Sequence, residues 1–256
     1  MTHETSFLYR SLSFADDGVP AQAGYSRGLR SQWRYGTRTD EVVENYAAFS
    51  RAFGLEPGRV VMPLETHTAN VATVSAVDGG GGVSRPLELL DVDGLVTGEC
   101  DLALCITICD CAPVYLADAD GHAVGLLHCG WRGTRGGIIA EGVRRMEALG
   151  ARRADMYAIV GPHICADCFE VGGELIDEFA RIHTPEELET MFRERDGRLT
   201  LDLAVSIRLQ LLAEGIESER IVASDECTMH GDTYFSYRRG ERELRNLGFI
   251  VLRARH

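Results

Sequence analysis

The chain has 256 residues, and 26 Lys and Arg against 39 Asp and Glu give it a formal net charge of −13. So acidic a surface is a poor electrostatic partner for nucleic acid or an anionic membrane. Hydrophobic residues at 45% and charged residues at 25% are typical of globular proteins, which excludes a disordered, collagen-like or coiled-coil chain. No stretch reaches the ~20 apolar residues of a membrane span, and the first residues lack the pattern of a secretion signal. We therefore expect a cytoplasmic protein with no nucleic-acid or membrane partner.

The first half of the chain predicts one helix followed by strands. An amphipathic helix is expected over 39–53, with Gly54 just past its end. Strands are expected over 60–63, 69–77 and 93–97, with a glycine-rich loop at 79–82. The continuous apolar run at 102–110 predicts a strand buried on both faces. Strands over 114–117 and 123–127 flank an Asp/Gly turn, which predicts a hairpin.

The second half alternates helices and strands less regularly. A glycine-rich elbow at 130–137 is expected to lead into a helix over 138–149, followed by a strand over 156–160. Helices are expected over 173–182 and 201–214, and strands over 221–224, 234–237 and 249–252; the acidic run at 186–189 reads as a solvated helix face. Without strict βαβ alternation the pattern favours an α+β fold. Nothing marks a boundary, so 1–256 is expected to be one domain.

The eight cysteines are unevenly distributed, since five of them fall between Cys100 and Cys129. Disulfides are not expected in a reducing compartment. Two interpretations remain open: small buried side chains, or thiolates that bind metal or react. Cys105 and Cys109 lie on a buried strand and are expected to be packing residues.

His67, Cys111 and His128 are candidate metal ligands. His67 is predicted in a polar segment between two strands, Cys111 just past the end of the buried strand, and His128 at the end of the returning hairpin strand. Residues at strand ends on one edge of a sheet can converge. Two imidazoles and one thiolate suit Zn²⁺, and three protein ligands leave the fourth position for water or substrate, as in catalytic zinc sites. On spacing alone, core packing remains the alternative.

Positive charge is concentrated in the elbow HCGWRGTRGG, which contains Arg132 and Arg135. A guanidinium group fits phosphate or carboxylate through two parallel hydrogen bonds. The alternative interpretation is a pair of solvated surface arginines.

A second His/Cys pattern lies further along the chain. Cys165 and Cys168 form a C-x-x-C, and Cys227 and His230 form a C-x-x-H. Together they have the number and type of ligands of a closed structural zinc site. Buried free thiols are the alternative, because the two halves are far apart in sequence.

Several motifs together resemble one bacterial family. In chain order they are DGLVT from Asp93, CDCAPV from Cys109, HCGWRG from His128, GPHI from Gly161 with FEVG from Phe169, and FSYRR from Phe235. These motifs are similar to those of the multicopper polyphenol oxidase (laccase-domain) family, which is also described as zinc purine nucleoside phosphorylases and as peptidoglycan editing factors. The resemblance extends from about Gly24 to the C-terminus, and the D-C-x-P plus H-x-G-W-R-G pair is highly specific.

The resemblance implies a single-domain four-layer α-β-β-α sandwich with a metal held by His67, Cys111 and His128. The chain departs from the family pattern at Glu65, where Gln is usual, and at Thr68, where Gly is usual. The residue after the second His is often Ala, and here it is Cys129. A segment that often contains Asn near the N-terminus reads Ser-Gln-Trp at 31–33.

The resemblance also implies an activity: zinc-dependent phosphorolysis of adenosine, inosine, guanosine and methylthioadenosine, with deamination of adenosine. The expected partners are therefore a purine nucleoside and phosphate. Arg132, with Arg34 or Arg238, would hold phosphate, while Asp110, beside the ligand Cys111, would act as the acid–base carboxylate or orient a His ligand. Asn45 and His163 complete the expected substrate-binding residues.

Two other functions remain open on the same resemblance. One is copper-dependent oxidation of phenols, for which a His₂Cys copper site would suffice in ligand type. The other is editing of a peptidoglycan precursor in the cytoplasm. A monomer and a homodimer are both compatible with the sequence.

Overall fold

The computed structural model describes residues 8–14, 18–27, 48, 50–52, 54–56 and 58–254. Two mixed β-sheets form the centre of the protein. The five-stranded sheet has the order β1-β2-β13-β6-β3, comprising Leu8–Ser13, Ala21–Arg27, Asn246–Leu252, Ala103–Ile108 and Val60–Val61. The six-stranded sheet has the order β12-β9-β7-β8-β5-β4, comprising Ile221–Ala223, Met156–Val160, Ala112–Asp118, Val124–Cys129, Gly94–Thr97 and Val71–Thr73.

Most neighbouring strands run antiparallel, and the parallel pairs lie at the sheet edges. In the five-stranded sheet β3 pairs with β6 in parallel, and in the six-stranded sheet β12 with β9 and β4 with β5 do so. The strands β7 and β8 form the predicted hairpin, in which Pro113 lies opposite His128. In this register the start of β7 and the end of β8 lie side by side, at the edge where the candidate metal ligands were expected.

The two sheets pack face to face, and every residue of β6, β7 and β8 is buried. Side chains from both sheets share one cluster, which includes Tyr25 and Ile106 from one sheet and Tyr115 and Leu126 from the other. The Tyr115 hydroxyl donates to the carbonyl oxygen of Gly24 at 3.0 Å, so a hydrogen bond also joins the sheets. Apolar burial of this extent is the main term that stabilises such a sandwich.

Helices cover the outer face of the six-stranded sheet. Ile139, Val143 and Met146 of one helix, with Ile207 and Leu211 of another, pack on its strands. The helices are Trp131–Arg135, Ile138–Ala148, Glu174–Phe179, Pro185–Met191 and Leu203–Ala213. On the outer face of the five-stranded sheet a further cluster contains Cys105, buried as expected. These layers confirm the predicted α+β class with mixed sheets in a single domain.

Other predictions need correction or fall outside the described residues. The helix expected over 39–53 lies mostly outside them, although residues 50–52 are helical. The strand expected over 69–77 ends at Thr73, because Ser75 and Asp78 cap a 3₁₀ turn, Ala76–Asp78. The elbow forms the short helix Trp131–Arg135 rather than an open turn.

The strand expected over 234–237 is wrong, because this segment bends instead. The amide of Asn246 bonds both the N–H and the carbonyl of Phe235, which replaces the pairing that a neighbouring strand would supply. A hairpin of Phe192–Arg195 and Arg198–Leu201 was not predicted. Within the described residues, no helix is long and apolar enough to cross a membrane.

Candidate metal centre and pocket

Two loops and one strand end at one edge of the two sheets bring His67, Cys111 and His128 together. One loop follows β3, the second joins β6 to β7, and His128 lies near the end of β8. Their potential ligand atoms all lie within 4.8 Å of one another. The two imidazole rings meet edge to face, with centroids 5.1 Å apart. Residues separated in sequence therefore form one compact cluster of two imidazoles and one sulfur.

A buried carboxylate, Asp93, holds two of these residues in place. It accepts hydrogen bonds from the backbone N–H groups of Thr66, His67 and Thr68 at 3.1, 2.9 and 2.7 Å. The same carboxylate is 2.8 Å from Nδ1 of His128. His67 has a φ of +65°, a left-handed conformation that a non-glycine residue adopts only when its surroundings impose it. Asp93 supplies that constraint.

These contacts shift the pKa values of the cluster. Burial raises the pKa of Asp93, but the hydrogen bond and positive charge of His128 lower it by a larger amount, so that the pKa falls to about 2. Burial likewise raises the pKa of the Cys111 thiol, and the rings of His128 and His67 lower it to about 6. For His128 burial lowers the pKa, while Cys111 and Asp93 raise it well above its usual range. The site therefore favours a thiolate at Cys111.

No role was predicted for Asp93, although it begins the motif DGLVT. The signal in the sequence is an Asp followed by Gly immediately before a buried strand. A carboxylate that orients a ligating imidazole through its other nitrogen is the usual arrangement behind a metal site. The expected alternative role of Asp110, orienting a His ligand, thus falls to Asp93 for His128.

Glycine in the elbow allows the loops to approach each other closely. A Cβ at Gly130 would lie 3.0 Å from Cδ2 of His67 and 3.1 Å from Sγ of Cys111. A Cβ at Gly133 would lie 2.6 Å from the carbonyl oxygen of Thr68. The glycines of H-x-G-W-R-G therefore serve close packing on the ligand loops.

The cluster lies in a pocket of about 450 Å³. Its walls are partly aromatic and aliphatic, as is typical of small-molecule sites. The apolar lining residues are Trp131, Ile164, Phe169, Leu203 and Tyr237. Cys109, expected to pack in the core, is half-buried and also lines the pocket.

Three arginines, Arg132, Arg238 and Arg245, give this pocket positive charge in an acidic protein. The guanidinium of Arg132 stacks on Trp131, with its carbon 4.3 Å from the ring centroid. That of Arg238 lies 5.6 Å from the ring centroid of Phe169. The other elbow arginine, Arg135, pairs with Glu178 and does not line the pocket.

Two carboxylates, Asp110 and Glu65, also line the pocket. Asp110 has a φ of +79° and accepts hydrogen bonds from the Thr228 hydroxyl at 2.6 Å and the Arg238 backbone N–H at 2.7 Å. Glu65 accepts from the backbone N–H of Thr107 at 2.6 Å and from its hydroxyl at 3.1 Å. Burial raises the pKa of Glu65.

Of the remaining predicted substrate residues, the structure describes only His163, which does not join this group. His163 is buried, its Nδ1 is 2.8 Å from the carbonyl oxygen of Gly161, and it lies outside the pocket lining. Burial lowers the pKa of His163, which favours the neutral ring. Asn45 and Arg34 lie outside the described residues.

The chain matches a family model over residues 19–253, and that family is described as multi-copper polyphenol oxidoreductase laccase. It is 36% identical over 222 residues to purine nucleoside phosphorylase YlmD of Geobacillus stearothermophilus, covering 83% of this chain and 79% of that protein. It is also 32% identical over 200 residues to adenosine deaminase RL5 of an unknown prokaryotic organism, covering 77% and 76%.

The fold is similar to that of a solved relative. The crystal structure of YlmD from Geobacillus stearothermophilus superposes with a TM-score of 0.83 at 30% sequence identity. The superposition covers 92% of this chain and 93% of the other. The likeness therefore extends over most of the chain.

Proposed function

The chain belongs to the multi-copper polyphenol oxidoreductase laccase family, and on that premise we propose that it is a zinc-dependent purine nucleoside phosphorylase. The observation that carries the proposal is the His67, Cys111 and His128 cluster in a pocket that also presents arginines. The substrates are a purine nucleoside and inorganic phosphate. The products are the free purine base and ribose 1-phosphate.

The donor set fits a divalent ion such as Zn²⁺. Two imidazoles and a thiol with a lowered pKa are zinc ligands, and Asp93 supplies the carboxylate behind one of them. With three ligands from the chain, a position remains for a molecule in the pocket. When bound, the ion supplies Lewis acidity that stabilises negative charge on the leaving purine or lowers the pKa of water.

Phosphate binds at the arginines in this proposal. The guanidinium of Arg132 stacks on Trp131. That of Arg238 lies near Phe169 and donates from Nη1 and Nη2 to the carbonyl oxygen of Glu170 at 3.0 Å, so both groups have a fixed direction before phosphate arrives. Two oriented guanidinium groups bind a phosphate through charge-assisted hydrogen bonds. They also offset the repulsion that an acidic protein exerts on an anion.

The purine base packs on the aromatic wall, where Trp131, Phe169 and Tyr237 offer flat apolar surface. Asp110, beside the ligand Cys111, is the proposed acid–base carboxylate. Its hydrogen bonds from Thr228 and Arg238 fix its position relative to the phosphate-binding side chain. Phosphorolysis passes through an oxocarbenium-like state, so protonation of the departing base lowers its barrier.

Deamination of adenosine is the second candidate, favoured by the likeness to adenosine deaminase RL5. It uses the same cluster and the same carboxylate, with water in place of phosphate. The products are inosine and ammonia. The two reactions therefore differ in their need for phosphate.

The deciding experiment incubates zinc-loaded protein with adenosine, with and without phosphate, and separates the products by chromatography. Adenine that appears only with phosphate supports phosphorolysis, and inosine without phosphate supports deamination. Metal analysis of the protein as purified distinguishes zinc from copper. If neither product forms, or if phenols are oxidised instead, the proposal is wrong.

Two cysteine variants provide the matched control. Cys111→Ser removes the sulfur ligand and should abolish turnover of either reaction together with one bound metal. Cys100→Ser changes an exposed cysteine outside the pocket lining and should leave both unchanged. Full turnover by Cys111→Ser would exclude the proposed role of the metal.

A further inference from the structure

A second His/Cys cluster lies beside the pocket. The potential ligand atoms of Cys165, Cys168, Cys227 and His230 all lie within 4.8 Å of one another. Sγ of Cys168 is 3.1 Å from Nε2 of His230. The C-x-x-C and the C-x-x-H, far apart in sequence, therefore converge as one group of three thiols and one imidazole.

Backbone pairing brings these two loops together before any metal is considered. His163 and Cys227 form a parallel β-bridge. The N–H of Thr228 donates to the carbonyl oxygen of His163 at 3.0 Å, and the N–H of His163 donates to that of Glu226 at 3.3 Å. The loops are thus fixed in register, which sets the four side chains opposite each other.

The surroundings of Cys227 are those of a metal-bound thiolate. Its sulfur accepts a hydrogen bond from the N–H of Cys165, in the other loop, at 3.3 Å. A backbone N–H directed at sulfur stabilises a thiolate, the form in which cysteine binds metal. A neutral thiol packed as an apolar side chain does not need such a donor.

We propose that Cys165, Cys168, Cys227 and His230 hold a structural Zn²⁺. Three thiolates and one imidazole complete a tetrahedral site with no open position, which is the composition of structural zinc sites. None of these four side chains, three cysteines and one histidine, lines the pocket, so this ion binds apart from the candidate metal centre.

The structural zinc stabilises one wall of the pocket. Ile164 and Phe169, on either side of the C-x-x-C, both line the pocket. Thr228, in the C-x-x-H loop, donates its hydroxyl to the Asp110 carboxylate. Ile164, beside the C-x-x-C, donates its N–H to the Asp110 carbonyl oxygen at 2.9 Å. The ion joins the two loops that hold Asp110 in position.

The test measures the number of zinc ions per chain in variants whose candidate metal centre has lost the Cys111 ligand. Wild-type protein purified with zinc should contain two zinc ions per chain, and Cys111→Ser should contain one. Adding Cys168→Ser and His230→Ala to Cys111→Ser should reduce the count to none. Cys100→Ser, which changes an exposed cysteine of neither cluster, should keep two. Because the count in Cys111→Ser does not depend on activity, it separates this proposal from the proposed function.

A second measurement covers the case in which the triple variant does not fold. Cys111→Ser loaded with Co²⁺ should show the absorption of a tetrahedral cobalt ion with thiolate ligands. Alkylation and mass spectrometry under non-reducing conditions should show no disulfide among the three cysteines. A metal-free Cys111→Ser protein that folds normally, or a Cys165–Cys168 disulfide in it, would overturn the proposal.

Discussion

Replacing Asp93 with Asn perturbs the candidate metal centre without changing any of its three ligands. The carboxylate accepts from the backbone N–H groups of Thr66, His67 and Thr68 and from Nδ1 of His128. Asn has nearly the same size, but it carries no charge and replaces one acceptor oxygen with an NH₂ group. We expect the His67 loop and the His128 ring to lose their fixed orientation.

The magnitude follows from the lowered pKa. A fall from 3.8 to about 2 means that ionised Asp93 stabilises the folded, metal-free protein by about 2 kcal/mol at pH 7. Because the folded-state pKa lies below the unfolded value, this stabilisation is present above pH ~4 and is lost as pH falls through about 2. The difference in unfolding free energy between wild type and Asp93→Asn should shrink to about 1 kcal/mol at pH 3. Metal affinity should fall roughly 10- to 100-fold.

Urea unfolding of chelator-treated protein at pH 7 and pH 3 measures the change in unfolding free energy. Competition with a zinc-binding dye at pH 7 measures the change in metal affinity. Asp91→Asn is the matched control, because Asp91 is exposed and its carboxylate accepts from the Thr66 hydroxyl, while Thr68 and Asn70 donate to its backbone carbonyl. Its stability and metal affinity should stay close to wild type. Equal metal affinity in Asp93→Asn and wild type would refute the reasoning.

Three further variants test the pocket. Gly130→Ala places a Cβ 3.0 Å from the His67 ring and 3.1 Å from Sγ of Cys111, so zinc affinity in the dye assay should fall about tenfold. Gly173→Ala is the control, because its Cβ has open space around it, and zinc affinity should not change. Arg132→Ala removes one proposed phosphate ligand and should raise the KM for phosphate about tenfold in steady-state kinetics. Deamination, which needs no phosphate, should change little. An unchanged KM for phosphate would mean that phosphate binds elsewhere. Asp110→Asn should lower kcat about 100-fold. Glu65→Gln introduces the residue usual in the family and should keep kcat within a few fold. A larger loss of kcat in Glu65→Gln than in Asp110→Asn would assign the acid–base role to Glu65.

The parts of the fold that the sequence predicted well are those with a simple apolar pattern. The run at 102–110 gave a fully buried strand, Ala103–Ile108, because a sheet covers one face and a second apolar cluster covers the other. The hairpin at 114–127 was marked by its Asp/Gly turn. Convergence of the ligands followed from the family resemblance, because spacing alone left core packing open. The loops that carry His67 and Cys111 each pass from one sheet to the other, which a pattern along one strand does not reveal.

The parts that failed depend on side-chain contacts that have no periodicity. Phe235 is apolar and buried, but Asn246 satisfies its backbone, so an aromatic run that resembles a strand bends instead. The hairpin after Met191 was missed because its first strand, Phe-Arg-Glu-Arg, is mostly charged and exposed, although its second, Arg-Leu-Thr-Leu, alternates polar and apolar residues. Asp93 could not be assigned from pattern alone, because its role depends on which backbone N–H groups a distant loop presents to it.

The two His/Cys clusters differ in the one property that separates catalytic from structural metal sites. Cys111 and both histidines of the first cluster line the pocket, and three ligands leave a position open to it. The second cluster offers four ligands, none of which lines the pocket. Asp110 connects them, since it precedes Cys111 in the chain and accepts a hydrogen bond from Thr228, next to Cys227. Loss of the second metal should therefore weaken substrate binding through the pocket wall while leaving the first metal bound.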